Sequence, residues 1–136
     1  IAWSVTNRSP LIRIPVTRGA GTRVELRCPD PAANPYLVLA VCLEAGLDGI
    51  RNQITPPDAV TENVFEMQLQ QRAKLGIESL PGDLEQAVEE LEKDDYIKNV
   101  LGGHITEKYL EAKRKEWHEY CRHVSDWETE SYLYKY

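Results

Sequence analysis

The chain is poor in cysteine, and Cys28, Cys42 and Cys121 stand at no C-x-x-C spacing. An odd number so dispersed argues against a disulfide framework or a zinc site and implies reduced thiols in packing roles, as in a cytosolic protein. Long apolar runs are missing too. The longest, Tyr36 to Leu43, has eight residues, against about 20 for a membrane-crossing helix. Ile1-Ala2-Trp3 has neither a basic n-region nor a cleavage site, so no membrane span and no secretory leader are read. The first residue is Ile rather than Met, in strand-like sequence, and further sequence is expected before it. His118 and His123, at i and i+5, fall on different helix faces, and with His104 they are read as structural or surface residues. Arg18-Gly19-Ala20-Gly21 lacks the Gly-Lys-Ser/Thr ending of a phosphate loop and is read as a turn. No internal repeat or low-complexity tract is present.

With 42% hydrophobic and 28% charged residues, the 136 residues suit one domain with a modest core. The charge is unevenly spread. Five of the nine arginines lie between Arg8 and Arg27 with one carboxylate, Glu25, so residues 1–27 carry a formal +4 and the remaining 109 carry −10. Such a reversal suggests a site for anions. Nucleic acid is disfavoured, because the patch has no lysine, is confined to about 20 residues and sits in an acidic chain. In Arg23-Val24-Glu25-Leu26-Arg27 the alternation of a strand puts the three charged groups on one face and the two aliphatics on the other, which would pack. Guanidinium grips phosphate and carboxylate oxygens bidentately, and a carboxylate among arginines can ligate a hard cation such as Mg²⁺. A solvent-facing charged strand is the plainer alternative.

At NRSPLIRIP (7–15) and RVELRCPDPAANPYL (23–37) the sequence resembles glutamine synthetase, in the C-terminal part of the catalytic domain of the bacterial type I enzyme. AGLDGI, ESLPGDLEQAVEELEKD and the closing EW…Y…VSDWE…YL follow in the family's order, so the resemblance covers essentially all 136 residues. It implies ATP-dependent amidation of glutamate with ammonium through a γ-glutamyl phosphate, with Mg²⁺ or Mn²⁺, in the cytoplasm, by a dodecamer of two stacked hexameric rings. Position by position it implies that Arg8 contacts the transferring phosphoryl group and glutamate, that Arg13 and Arg23 lie near the nucleotide phosphates, that Arg27 holds glutamate, and that Glu25 ligates a metal. Phe65 stands where one branch of the family has an adenylylated tyrosine. The resemblance therefore implies the branch controlled by glutamine feedback and regulatory protein partners. It also implies that the remaining metal ligands and the ammonia site lie outside this chain, which alone would be inactive.

The expected fold is α+β: antiparallel strands within residues 1–28 (Ala2 to Thr6, Leu11 to Val16, Arg23 to Cys28), packed by a mostly helical remainder over 34–136. Asn34 caps a first helix with Pro35 at its first position, fading between Gly46 and Asn52. Being apolar all round, it should be buried on more than one side, against the strands. Ile54 to Asn63 reads as a loop and Phe65 to Leu75 as a short helix or connector. Asp83 caps a helix with a Leu84, Ala87, Val88, Leu91 stripe and its glutamates in water. The longest helix should run from Thr106 to about His123, with Tyr109, Leu110, Trp117, Tyr120, Cys121 and Val124 in its packing stripe. Ser125-Asp126-Trp127-Glu128 is a capping box opening a last helix. The aromatic end, Trp127 to Tyr136, suggests a subunit contact. Rival functional readings are a related γ-glutamyl ligase using a polyamine or other amine, and a non-catalytic interaction domain.

Overall fold

The computed structural model describes residues 1–135, and Tyr136 lies outside them. A three-stranded sheet is followed by a mostly helical chain, an α+β arrangement. The described chain divides into two compact units, Ile1–Leu80 and a second beginning at Pro81.

In the first unit, β1 (Trp3–Ser4), β2 (Ile12–Arg13) and β3 (Glu25–Leu26) form one sheet in that order. The strands are shorter than expected, and proline ends the second. Ile14 N donates to Ser4 O at 2.9 Å, and Pro15, next in the chain, has no N–H to continue the ladder. The β2–β3 pair is antiparallel as expected, with Ile12 opposite Leu26 and Arg13 opposite Glu25. The β1–β2 pair is instead parallel, with Trp3 opposite Ile12, which corrects the expectation of a wholly antiparallel sheet. Parallel neighbours ordinarily need a crossover of a dozen or more residues, but strands this short can be joined by the loop between Ser4 and Ile12. Asn7 N donates to Ser4 Oγ at 3.3 Å, the Asn7 side chain donates to the carbonyls of Thr61 and Glu62, and Val64 N donates to Ser9 Oγ at 2.9 Å. The 57–64 segment is held to β1 as well, by Val60 N to Trp3 O at 2.9 Å and by Trp3 Nε1 to Pro57 O at 2.6 Å. Ala2, Ser4, Pro10, Pro15 and Met67 are buried around this framework.

Helix α1 (Pro35–Arg51) starts as its sequence dictates. The Asn34 side chain accepts from Tyr36 N at 3.0 Å and Leu37 N at 3.3 Å, and Pro35 occupies the first helical position. It continues through Gly46 and Gly49. None of its residues is buried: Tyr36 is 81% exposed and Ile50 75%, and Leu39 and Leu43 are exposed too. The expected burial on more than one side is absent among the described residues, where only Leu37, Val38, Val41, Cys42 and Leu47 of its aliphatic and thiol side chains are half-buried. Helix α2 (Leu69–Lys74) is the anticipated short helix. It ends where Gly76, at φ 64°, supplies the left-handed turn that lets Ile77 N reach Arg72 O at 2.9 Å.

In the second unit, α3 (Leu84–Lys93) is capped by Asp83, which accepts from Gln86 N at 2.8 Å, and Val88 is its buried centre. Helix α4 (Asp95–Leu101), absent from the sequence expectation, is capped by Asp94 and ended by Gly102 at φ 78°. Helix α5 then begins at Gly103, three residues before the expected Thr106, and runs to Arg122. Thr106 is buried, its Oγ1 donating to Lys98 O at 3.2 Å. Helices α3, α4 and α5 pack against one another. The acidic face of α3, expected in water throughout, is partly engaged: Trp117 Nε1 donates to Glu85 at 3.0 Å and Arg114 pairs with Glu92. Tyr109, Tyr120, Cys121 and Val124 are exposed rather than packed, as is Cys28. Helix α6 (Asp126–Tyr132) opens on the expected capping box between Ser125 and Glu128. Trp127, Tyr132, Leu133 and Tyr134 are exposed.

Asn34→Ala removes the acceptor for two first-turn amides of α1. It should lower stability by about 1 kcal/mol, measured as a shift in denaturation midpoint, and Asn34→Asp should recover most of it.

Candidate functional site

The five charged residues singled out above form two linked groups. The first lies on the β2–β3 sheet face, where antiparallel register sets Arg13 directly across from Glu25. Arg13 Nη1 donates to Glu25 Oε2 at 3.0 Å, while Arg23 donates to Glu25 Oε1 through Nε at 3.0 Å and Nη2 at 2.7 Å. Arg27 Nη1 stands 4.0 Å from Glu25 Oε2. The charged positions of the 23–27 alternation thus do converge. Their aliphatic counterparts do not pack, since Val24 is 65% exposed and Leu26 38%.

One carboxylate among three guanidiniums leaves the group with excess positive charge. Hydrogen bonds from Arg13, then from Arg23, hold the Glu25 carboxyl below its ordinary pKa of 4.5. Arg13 is the least exposed of the three arginines, and its Nε is buried without a hydrogen-bond partner. The arrangement presents guanidinium edges to an anion while keeping one hard oxygen ligand at its centre. Among the described residues no group of three or more His, Cys, Asp or Glu side chains is placed to hold a metal. Glu25 is therefore at most one member of such a set. That role still fits its chemistry, because Mg²⁺ commonly takes one or two carboxylates and fills its shell with water and phosphate oxygens.

The second group surrounds an open cleft of about 500 Å³ in the first unit, lined by Arg8, Arg27, Arg72, Phe65 and Glu78 among others. The sequence around Arg8 explains its placement. Asn7 and Ser9 are short polar residues, and both are tied down: Asn7 to the Thr61 and Glu62 carbonyls, Ser9 by its amide to Asn7 Oδ1 at 2.9 Å and by its hydroxyl to Val64 N. Arg8 is the exposed residue between two anchored neighbours. Arg27 belongs to both groups, reaching Glu25 on one side and the cleft on the other. Arg72, which the sequence did not single out, joins the cleft from α2. Its distance from the 8–27 cluster left no local signal.

The histidines take no part. His118 Nδ1 donates to the Arg114 carbonyl at 2.7 Å, a structural contact within α5. Arg18, the fifth arginine of the basic stretch, donates instead to the carbonyls of Pro15 and Thr17 at 2.6 and 3.2 Å.

Comparison with known proteins converges on one family. A family model described as "Glutamine synthetase, catalytic domain" matches residues 1–132. The chain is 56% identical over 134 residues to a glutamine synthetase of Thermotoga maritima, covering 98% of this chain and 30% of that protein. It is 52% identical over 136 residues to one of Clostridium saccharobutylicum, covering all of this chain and 31% of that protein. A solved structure described as apo GmaS without ligand superimposes with a TM-score of 0.80 at 34% identity, over 98% of this chain and 30% of that one. The chain thus spans about 30% of the length of the relatives it matches.

The depressed pKa of Glu25 has a definite pH consequence. Its ion pairs contribute fully above the unfolded carboxyl pKa, and the contribution is lost as pH falls through the lower folded value. The side-chain carboxyl of Glu25, followed by carbon-13 NMR, should titrate below 4.5 in the native protein and move up toward that value in Arg13→Met. Titration at the ordinary value in both proteins would contradict the pairing.

Proposed function

This chain belongs to the glutamine synthetase family, and from that membership we propose that it is the C-terminal portion of the catalytic domain of a glutamate–ammonia ligase. In that reading the complete protein makes glutamine from glutamate, ammonium and ATP. The observation that carries it is the grouping of Arg13, Arg23 and Arg27 around Glu25, with Arg27 also lining the cleft that holds Arg8.

The reaction is a problem in managing negative charge. A side-chain carboxylate oxygen of glutamate attacks the γ-phosphorus of ATP, the bond to ADP breaks, and a γ-glutamyl phosphate forms. Ammonia then attacks the acyl carbon, phosphate leaves, and the attacking nitrogen loses its extra proton. Both reactants of the first step are anions that repel each other, so positioned guanidiniums supply much of what the protein can contribute. Arg13 and Arg23 are assigned to the nucleotide phosphates, Arg8 to the transferring phosphoryl and to glutamate, and Arg27 to glutamate. Glu25 is assigned as the chain's single ligand to Mg²⁺ or Mn²⁺, whose chemistry when bound is to neutralise phosphate charge. Until then Glu25 serves as counter-anion to Arg13 and Arg23, keeping them gathered. The other metal ligands and the ammonia-handling residues are assigned to parts of the protein beyond this chain.

The same arginines would serve a ligase that delivers a polyamine or other amine to the acyl phosphate, so the amine is what an assay must resolve. We further assign the protein to the cytoplasm and to a homo-oligomer, a dodecamer in the complete enzyme, with the exposed aromatic residues from Trp127 to Tyr134 suited to a subunit contact. Phe65, exposed beside the cleft, has no hydroxyl and so cannot carry an O-linked nucleotidyl group. Control by glutamine or a protein partner fits that side chain better.

The full-length gene product, supplied with glutamate, ammonium, ATP and Mg²⁺ or Mn²⁺, should form glutamine, whereas this chain alone should form none. Arg8→Ala in the full-length protein should lower kcat by about 10³-fold or more. Turnover only with other amines would shift the assignment to the related ligases, and glutamine made by the isolated chain would refute the divided site.

A further inference from the structure

We propose that Arg72 is a third oxyanion-binding guanidinium of the cleft, and that it binds a carboxylate of the amino-acid substrate together with Arg27. The inference rests on the glutamate-ligase reading above and extends it to a residue far from the 8–27 cluster.

Three observations carry it. First, Arg72 has no carboxylate within ion-pair distance among the described residues, although the chain has 22 acidic side chains and a net charge of −6. Five other arginines do find such partners, Arg13, Arg23 and Arg27 around Glu25, Arg51 with Glu44, and Arg114 with Glu92, while Arg18 and Arg122 do not among the described residues. Arg8, in the same cleft, has no ion-pair partner either among the described residues. Like charges gathered with a single acid, Glu78, in the lining repel one another, and an oxyanion arriving between them relieves that repulsion.

Second, the position of Arg72 is set from several sides. Its Nε donates to the carbonyl of Met67 at 3.3 Å, and Met67 is only 5% exposed. Its own carbonyl accepts from Leu75 N at 3.2 Å and Ile77 N at 2.9 Å as α2 ends. The Met67 bond occupies one nitrogen of the fork and leaves the two terminal nitrogens, the pair that grips a carboxylate, without a hydrogen-bond partner among the described residues.

Third, the cleft gathers the two arginines that the proposed function assigns to glutamate. It contains Arg27, assigned to glutamate, and Arg8, assigned to the phosphoryl group and glutamate, but neither Arg13 nor Arg23. On that reading, a guanidinium in the same lining stands with the arginines assigned to the amino acid.

The test uses the full-length protein with Arg72→Ala and Arg72→Lys. Loss of a charge-assisted bidentate contact should raise the KM for glutamate about tenfold in Arg72→Ala, with kcat and the KM for ATP within about twofold of wild type on the same grounds. Arg72→Lys, which keeps the charge but not the fork, should lie in between. The rise in thermal midpoint that glutamate alone gives the wild type should shrink in both variants. An unchanged KM for glutamate, or a rise confined to ATP, would overturn the assignment. If loss of the Met67 bond prevents Arg72→Ala from folding, Arg72→Lys decides by the same KM comparison. A wild-type protein that makes no glutamine removes the underlying reading itself, whereas an active wild type beside an unaffected Arg72 variant removes only the role of Arg72.

Discussion

The carboxylate of Glu25, held between Arg13 and Arg23, is the contact around which the basic end of this chain is organised. Strands two residues long carry few ladder bonds and specify register weakly by themselves. The cross-strand pair of Arg13 and Glu25 supplies the missing specification. A slip of one residue would set Arg13 against Val24 or Leu26 and turn the carboxylate to the opposite face. The same contact lets three guanidiniums remain close together, because the Glu25 carboxylate offsets part of their mutual repulsion. In the proposed function such a grouping is an anion site assembled in advance, which lowers the reorganisation that binding requires.

A second constraint works through the neighbours of Arg8. Asn7 and Ser9 hold the Arg8 loop to the 61–64 segment, and Trp3 anchors the strand beneath it through Pro57. These bonds span more than fifty positions in sequence, so the placement of Arg8 depends on a segment that looks featureless by itself. Arg27 couples the two groups of the site, since the strand that sets Glu25 also carries Arg27 to the cleft.

What the sequence made legible was local. Asn34-Pro35, Asp83 and Ser125 with Glu128 each cap a helix through neighbours one to four positions away, and the structure shows each cap in place. The alternation of residues 23–27 likewise foretold that Arg23, Glu25 and Arg27 share a face. Features that depend on distant partners were not legible. The parallel pairing of β1 with β2 follows from where the 61–64 segment anchors the intervening loop. Helix α4 is a single short segment whose Asp94 cap follows directly on α3, so seven residues gave too little periodicity to separate it. Arg72 gave no signal because its company in the cleft comes from residues about 45 to 64 positions earlier. The apolar character of α1 was correctly read, yet its burial was not, because hydrophobic composition states a demand for cover and not where the cover comes from.

That last feature bears on temperature. Tyr36, Leu39, Leu43 and Ile50 meet water along a 17-residue helix, and the free energy of hydrating such surface near room temperature is dominated by entropy. The tendency of this helix to seek cover therefore weakens on cooling and strengthens on warming.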